Sequence, residues 1–150
     1  MIAILKTNSK NLDFINLVAL LDAELAVRDG ADHDFYNQFN TIATLQFCIV
    51  AYKDKIPVGC GAIREYSENC MEIKRMFVPF ENRGKGIASK ILTDLEIWAS
   101  DLGFSKCILE TGINQPEALS LYKKMNYNII PNYGQYENVA TSICFEKKLL

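Results

Sequence analysis

The sequence predicts an α+β fold, a mixed α/β sheet with helices on its faces. Three observations carry this: three strand-like runs joined by short polar turns, a change to helical periodicity after Pro79, and a closing strand, helix and two strands. Strands grouped in this way, and not alternating regularly with helices, argue against a doubly wound parallel sheet.

Met1 to Lys6 reads as an opening strand. Ser9 or Asn11 then caps a helix whose apolar face is Phe14, Val18, Leu21 and Leu25 and which stops at Asp29 and Gly30. Ala31 to Asn40 is polar and aromatic and reads as a short helix or loop. Leu45 to Tyr52, Val58 to Tyr66 and Cys70 to Val78 are strand-like, separated by Lys53 to Lys55 with Pro57 and by Ser67 to Asn69. Turns this short imply an antiparallel meander. Ile87, Ile91, Leu95, Trp98 and Leu102 share one helical face, and Gly103 stands where a left-handed C-cap is wanted. Cys107 to Thr111 reads as a strand, Pro116 to Met125 as a helix begun by proline, and Tyr127 to Ile130 and Ser142 to Lys147 as closing strands. No repeat, low-complexity tract or linker-like stretch interrupts this order, so residues 1–150 are expected to form one domain.

Composition narrows the function. Nearly half of the 150 residues are apolar, enough for a core without staples, and the formal charge of -2 comes from interspersed acids and bases. There is no basic stripe for nucleic acid and no charged tail for anionic membrane. Apolar stretches fall short of the ~20 residues of a membrane span, and the N-terminus lacks a signal-peptide pattern. A soluble, cytoplasmic protein is expected, with a homodimer left open. The five cysteines are odd in number, widely spaced and set in apolar runs, and there is one histidine, His33. They read as reduced core residues, and no metal is expected.

The informative segment is Glu72 to Ala88, a strand running through a basic, glycine-rich turn into the long helix. Gly84 and Gly86 let the backbone turn its N–H groups toward one point without a Cβ in the way. The turn is also a helix N-terminus, which favours an anion, and Arg83 and Lys85 add charge. A pyrophosphate suits such a turn. A P-loop would require a hydroxyl after Gly84 and Lys85, where Gly86 stands instead. Gly59, Gly61 and Arg64 do not make a dinucleotide fingerprint, because the third glycine is missing and strand residues follow.

Arg83, Gly86 and Ala88, spaced R-x-x-G-x-A between a strand and a helix, resemble the acetyl-CoA pyrophosphate loop of the GNAT superfamily of N-acetyltransferases. Downstream, Gln115, Ala118 and Tyr122 resemble that family's N-x-x-A-x-x-x-Y helix, with glutamine where asparagine is usual. Asn126 stands at the family's glycine after this helix, and asparagine is the next residue to tolerate a left-handed C-cap. The element order resembles the GNAT fold along the whole chain. The resemblance implies a mostly antiparallel sheet whose fourth strand is bulged and splayed from the fifth, at Met76 to Val78, with helices on both faces.

It also implies a chemistry: acetyl-CoA as co-substrate, and direct transfer of acetyl to a primary amine of a small metabolite in a ternary complex. The cofactor-binding residues would be Met76, Phe77 and Val78 on the fourth strand, Arg83, Gly84, Lys85, Gly86, Ile87 and Ala88 in the loop, and Gln115 and Tyr122 on the later helix. Gln115 offers donors and an acceptor to the pantetheine arm. The Met76 N–H would polarise the thioester carbonyl, and Tyr122 would protonate the departing sulfur. Glu72 matches a position from which a glutamate acts as general base, and it reads equally as a solvent-facing carboxylate paired with Lys74. Arg75, Glu110, Tyr133 and Tyr136 are candidates to line the acceptor pocket, with Arg28 to Asn40 and Tyr133 to Tyr136 forming the acceptor side. His33 reads as a surface or loop residue. Two other functions share this pattern, acetylation of a protein N-terminus or lysine, and a CoA-binding sensor without catalysis.

Overall fold

The computed structural model describes residues 1–30 and 45–149. Its elements are β1 (Ile2–Thr7), α1 (Leu12–Asp29), β2 (Phe47–Lys53), β3 (Ile56–Ser67), β4 (Cys70–Phe77), α2 (Ile87–Asp101), β5 (Lys106–Gly112), α3 (Pro116–Lys124), β6 (Asn128–Ile130) and β7 (Ser142–Lys148). Short 3-10 turns at Phe80–Asn82 and Gly134–Tyr136 were not predicted. Ala31 to Asn40, with His33, lies outside the described residues.

Asn11, and not Ser9, starts α1, its side chain accepting the Phe14 N–H at 2.9 Å. The β2–β3 hairpin turns on Asp54 and Lys55, both at positive φ (51° and 68°), the conformation of a tight primed turn. Pro57, expected in the turn, lies inside β3. It is tolerated because the register shifts there, between Ala51 and Tyr52 on the facing strand.

The strands make one seven-stranded sheet in the order β1-β2-β3-β4-β5-β7-β6. Only β4 and β5 are parallel; every other neighbouring pair is antiparallel. The near-continuous apolar run of β2 is explained by cover on both faces. Cys48 and Val50 pack with Phe14, Leu17, Val18 and Leu21 of α1, while Ile49 and Ala51 pack with Ile87, Ile91 and Leu95 of α2. α2 lies so close to β3 that a Cβ on Gly61 would come within 2.9 Å of the Leu95 side chain and 2.6 Å of Met76 Sδ. The β3 glycines are therefore packing residues.

Two features of β4 shape the centre of the sheet. Between Cys60↔Phe77 and Ala62↔Lys74, β4 carries one residue more than β3, and Arg75 in that bulge has φ 58°. On the other side, β4 pairs with β5 only from Cys70↔Lys106 to Glu72↔Ile108, although β4 runs on to Phe77 and β5 to Gly112. Beyond Glu72 the two strands part, so the sheet is splayed at its centre.

Candidate active site

Where β4 and β5 part, two cavities open. The larger, of about 460 Å³, lies among α1, the end of β4, the loop before α2, and α3. The smaller, of about 140 Å³, is lined by the ends of α1, β4 and β5. Leu21, Met76, Gln115, Ala118 and Tyr122 line both, so the two spaces meet at these side chains.

The loop between β4 and α2 borders the larger cavity. Gly84 and Gly86 have φ of 76° and 78°, and a Cβ on either would meet nothing within 4 Å. Backbone conformation, and not crowding, is what calls for glycine here. Gly86 is the N-cap of α2, with no side-chain cap and no acidic residue in the first turn. The first amides of a 15-residue helix are left to meet an anion.

The predicted cofactor residues fall around this cavity, apart from one. Met76, Phe77, Val78, Arg83, Gly84, Gly86, Ile87, Ala88, Gln115 and Tyr122 all line it. Lys85 does not; its Nζ donates to Glu81 O at 3.4 Å on the exposed side of the loop. Arg83 is held in place: it donates to Val78 O at 2.8 Å and to both Glu24 oxygens at 2.8 and 3.0 Å. Its charge is already answered by Glu24, so the loop's pull on an anion rests mainly on the amides.

Gln115 accepts from Arg28 Nη1 at 3.1 Å through Oε1, while its buried Nε2 has no partner. Arg28 also pairs with Glu117 at 2.7 Å, which ties α1 to α3 beside the larger cavity. Tyr122 is 5 % exposed, packed edge-on to Tyr127 at 5.6 Å and tilted against Phe145 at 5.9 Å. Burial, and then the charge of Glu110, push its phenol above the ordinary range, so it stays protonated.

The acids sort differently from the sequence expectation. Glu72 is 1 % exposed and lines neither cavity. Its oxygens accept from Arg64 Nε at 3.0 Å and from the Tyr133 hydroxyl at 2.7 Å. It is thus not the solvent-facing partner of Lys74 that one reading offered. Glu110, by contrast, lines the smaller cavity with Lys74, Asp29 and Tyr122. Burial pushes its carboxyl up to about 7, opposed by a 2.7 Å hydrogen bond from Ser142 Oγ and by the Lys74 charge. Sequence reasoning placed Glu110 only on the pocket wall. The signal for more was present, a lone carboxylate following Ile108 and Leu109 in a buried strand.

Of the other acceptor-side candidates, Arg75 lines the smaller cavity and pairs with Asp22. Tyr133 and Tyr136 stack edge-on at 5.8 Å beside Glu72, away from both cavities. Among the described residues no group of His, Cys, Asp and Glu is arranged to hold a metal, and no helix is long and apolar enough to cross a membrane.

Known proteins share this chain's family and fold. The profile of the Acetyltransferase (GNAT) family matches residues 16–127. The chain is 33 % identical over 138 residues to the IAA acetyltransferase of Azospirillum brasilense, covering 90 % of each. A crystal structure of an acyl-CoA N-acyltransferase from Klebsiella pneumoniae superposes with a TM-score of 0.84 at 27 % identity, over 100 % of this chain and 99 % of that one. A GNAT acetyltransferase from Elizabethkingia anophelis, solved with acetyl-CoA bound, superposes with a TM-score of 0.72 at 19 % identity over 99 % of this chain and 98 % of that one, a likeness of fold.

Proposed function

The chain belongs to the GNAT acetyltransferase family, and on that premise we propose that it moves the acetyl group of acetyl-CoA to the primary amine of a small metabolite. The observation that carries this reading is the meeting of a large and a small cavity at Met76, Gln115 and Tyr122, where the sheet splays. One space suits a long nucleotide thioester and the other a compact amine. We also propose that residues 1–150 act as one catalytic domain.

The residues fit acetyl-CoA on two grounds. The uncapped start of α2 presents amides for the pyrophosphate, and the orphaned Gln115 Nε2 is a buried donor that lacks an acceptor. Met76 at the β4 bulge is proposed to give its N–H to the thioester oxygen, stabilising the charge that develops there.

For the base we propose Glu110 in place of Glu72. Both Glu72 oxygens are engaged by Arg64 and Tyr133 outside the cavities, whereas Glu110 lines the smaller one with a carboxyl poised near neutrality. The amine enters in its neutral form, and Glu110 takes a proton from its nitrogen as that nitrogen attacks the carbonyl carbon. The N–C bond forms, the C–S bond breaks, and its electron pair leaves on sulfur. Tyr122 gives that thiolate its proton and is reset by the proton held on Glu110.

Initial rates of CoA release from acetyl-CoA, with a panel of small primary amines and a lysine peptide, test the assignment. The proposal expects release that depends on a small amine and yields its N-acetyl product. Release with the peptide alone would favour the protein-acceptor reading, and no stimulation by any amine would favour a sensor.

A further inference from the structure

Two residues beyond the last β4–β5 pair, Glu72↔Ile108, the same parallel offset brings Lys74 level with Glu110, where the strands have already parted. Both line the smaller cavity, and Lys74 is 8 % exposed. Each lies in the other's field: burial lowers the lysine's proton affinity, Glu72 and to a lesser extent Glu110 raise it, and Lys74 lowers that of Glu110.

The remaining neighbours of Glu110 supply no such positive charge. Ser142 on β7 donates one hydrogen bond. Glu72 on β4 and Asp29 at the end of α1 are like charges. Tyr122 on α3 and Tyr136 in the 3-10 turn are phenols. Arg75 lines the same cavity with its guanidinium engaged by Asp22 of α1. A half-desolvated carboxylate next to two other acids stays protonated unless a cation answers it.

Resting on the reading of Glu110 as base, we infer that Lys74 is a positioning residue: set across the parted strands, its ammonium holds Glu110 ionised and ready to take the amine proton. Without that charge the carboxyl retains its proton to higher pH. A rise of one unit from neutrality cuts the ionised fraction at pH 7 about fivefold.

The test is a carbon-13 NMR titration of the Glu110 carboxyl, assigned with Glu110→Gln, in the wild-type chain and in Lys74→Met and Lys74→Arg, without substrate. The inference expects the midpoint to rise by about one unit or more in Lys74→Met and to be restored by arginine. An unmoved or lowered midpoint in Lys74→Met overturns it. Should Lys74→Met fail to fold, the wild-type chain still decides, because coupled groups share titration steps. The Lys74 side-chain resonances must then inflect at the Glu110 midpoint, and their absence of response overturns the inference. Turnover separates this from the reading beneath it. A shifted titration alongside wild-type rates in Glu110→Gln removes the base assignment alone, and an unshifted titration alongside lost turnover removes the role of Lys74 alone.

Discussion

The Tyr133 hydroxyl donates to one oxygen of Glu72 over 2.7 Å, while Arg64 Nε donates to the other over 3.0 Å. A carboxylate 1 % exposed and held from both sides ties the segment after β6 to the middle of the sheet. Glu72→Gln is therefore expected to act on stability. It weakens two hydrogen bonds to a buried charge, at about 1–3 kcal/mol. Thermal or denaturant unfolding measures the loss, and the lower limb of the pH–rate profile should stay where it is. A displaced limb with unchanged stability would return the base assignment to Glu72.

Replacing Gly84 and Gly86 together with valine is expected to weaken acetyl-CoA binding at least tenfold in a chain that still folds. Both positions have room for a side chain but sit at φ of 76° and 78°. Valine there costs about 1–3 kcal/mol per residue or moves the amides away from the anion. Calorimetric titration with acetyl-CoA measures this, and unchanged affinity would remove the loop from the binding site.

The five cysteines are buried and free, and burial pushes the thiols of Cys48, Cys60 and Cys107 up to about 12. Thiols so far from ionisation react slowly with alkylating agents. Native protein exposed to iodoacetamide near neutral pH is expected to keep its activity and stay unlabelled until unfolded. Rapid labelling with loss of turnover would mean that a cysteine serves the chemistry.

Much of the fold was legible because its signals are local. Ile87, Ile91 and Leu95 mark α2 by their spacing, and Gly103 and Asn126 take the left-handed conformation that their cap positions suggested, at φ 94° and 71°. What stayed hidden depends on pairing between distant segments. The resemblance implied a bulged fourth strand near Met76 to Val78, but no glycine marks its place at Arg75, and the offset that levels Lys74 with Glu110 is set by strands separated by the whole of α2. For the same reason the sequence left Glu72 open between a base in the cleft and a solvent-facing carboxylate: Tyr133, whose hydroxyl donates to it, lies 61 positions away. α1 misleads in another way. Its charged residues Asp13, Asp22, Glu24 and Arg28 turn toward partners on the sheet, the loop before α2 and α3, while Leu12, Leu20 and Val27 face outward.

Tyr122→Phe keeps the ring that packs against Tyr127 and Phe145 and deletes the hydroxyl alone. It is expected to lower kcat by roughly ten- to a thousandfold with little change in acetyl-CoA affinity. Single-turnover rates place the effect in the chemical step, and a wild-type rate where chemistry limits would reduce Tyr122 to a packing residue.

The pH dependence of kcat/KM for the best amine of the panel, in the wild-type chain and in Glu110→Gln, tests the central claim most directly. Glu110 has its carboxyl pushed up to about 7, so it is protonated and idle below that pH and a competent base above it. The wild-type rate is expected to climb through that region, and Glu110→Gln to lose both the limb and roughly a hundred- to ten-thousandfold in rate. A variant that keeps the wild-type rate and the same limb would contradict the account, because the proton would then be leaving the amine by another route.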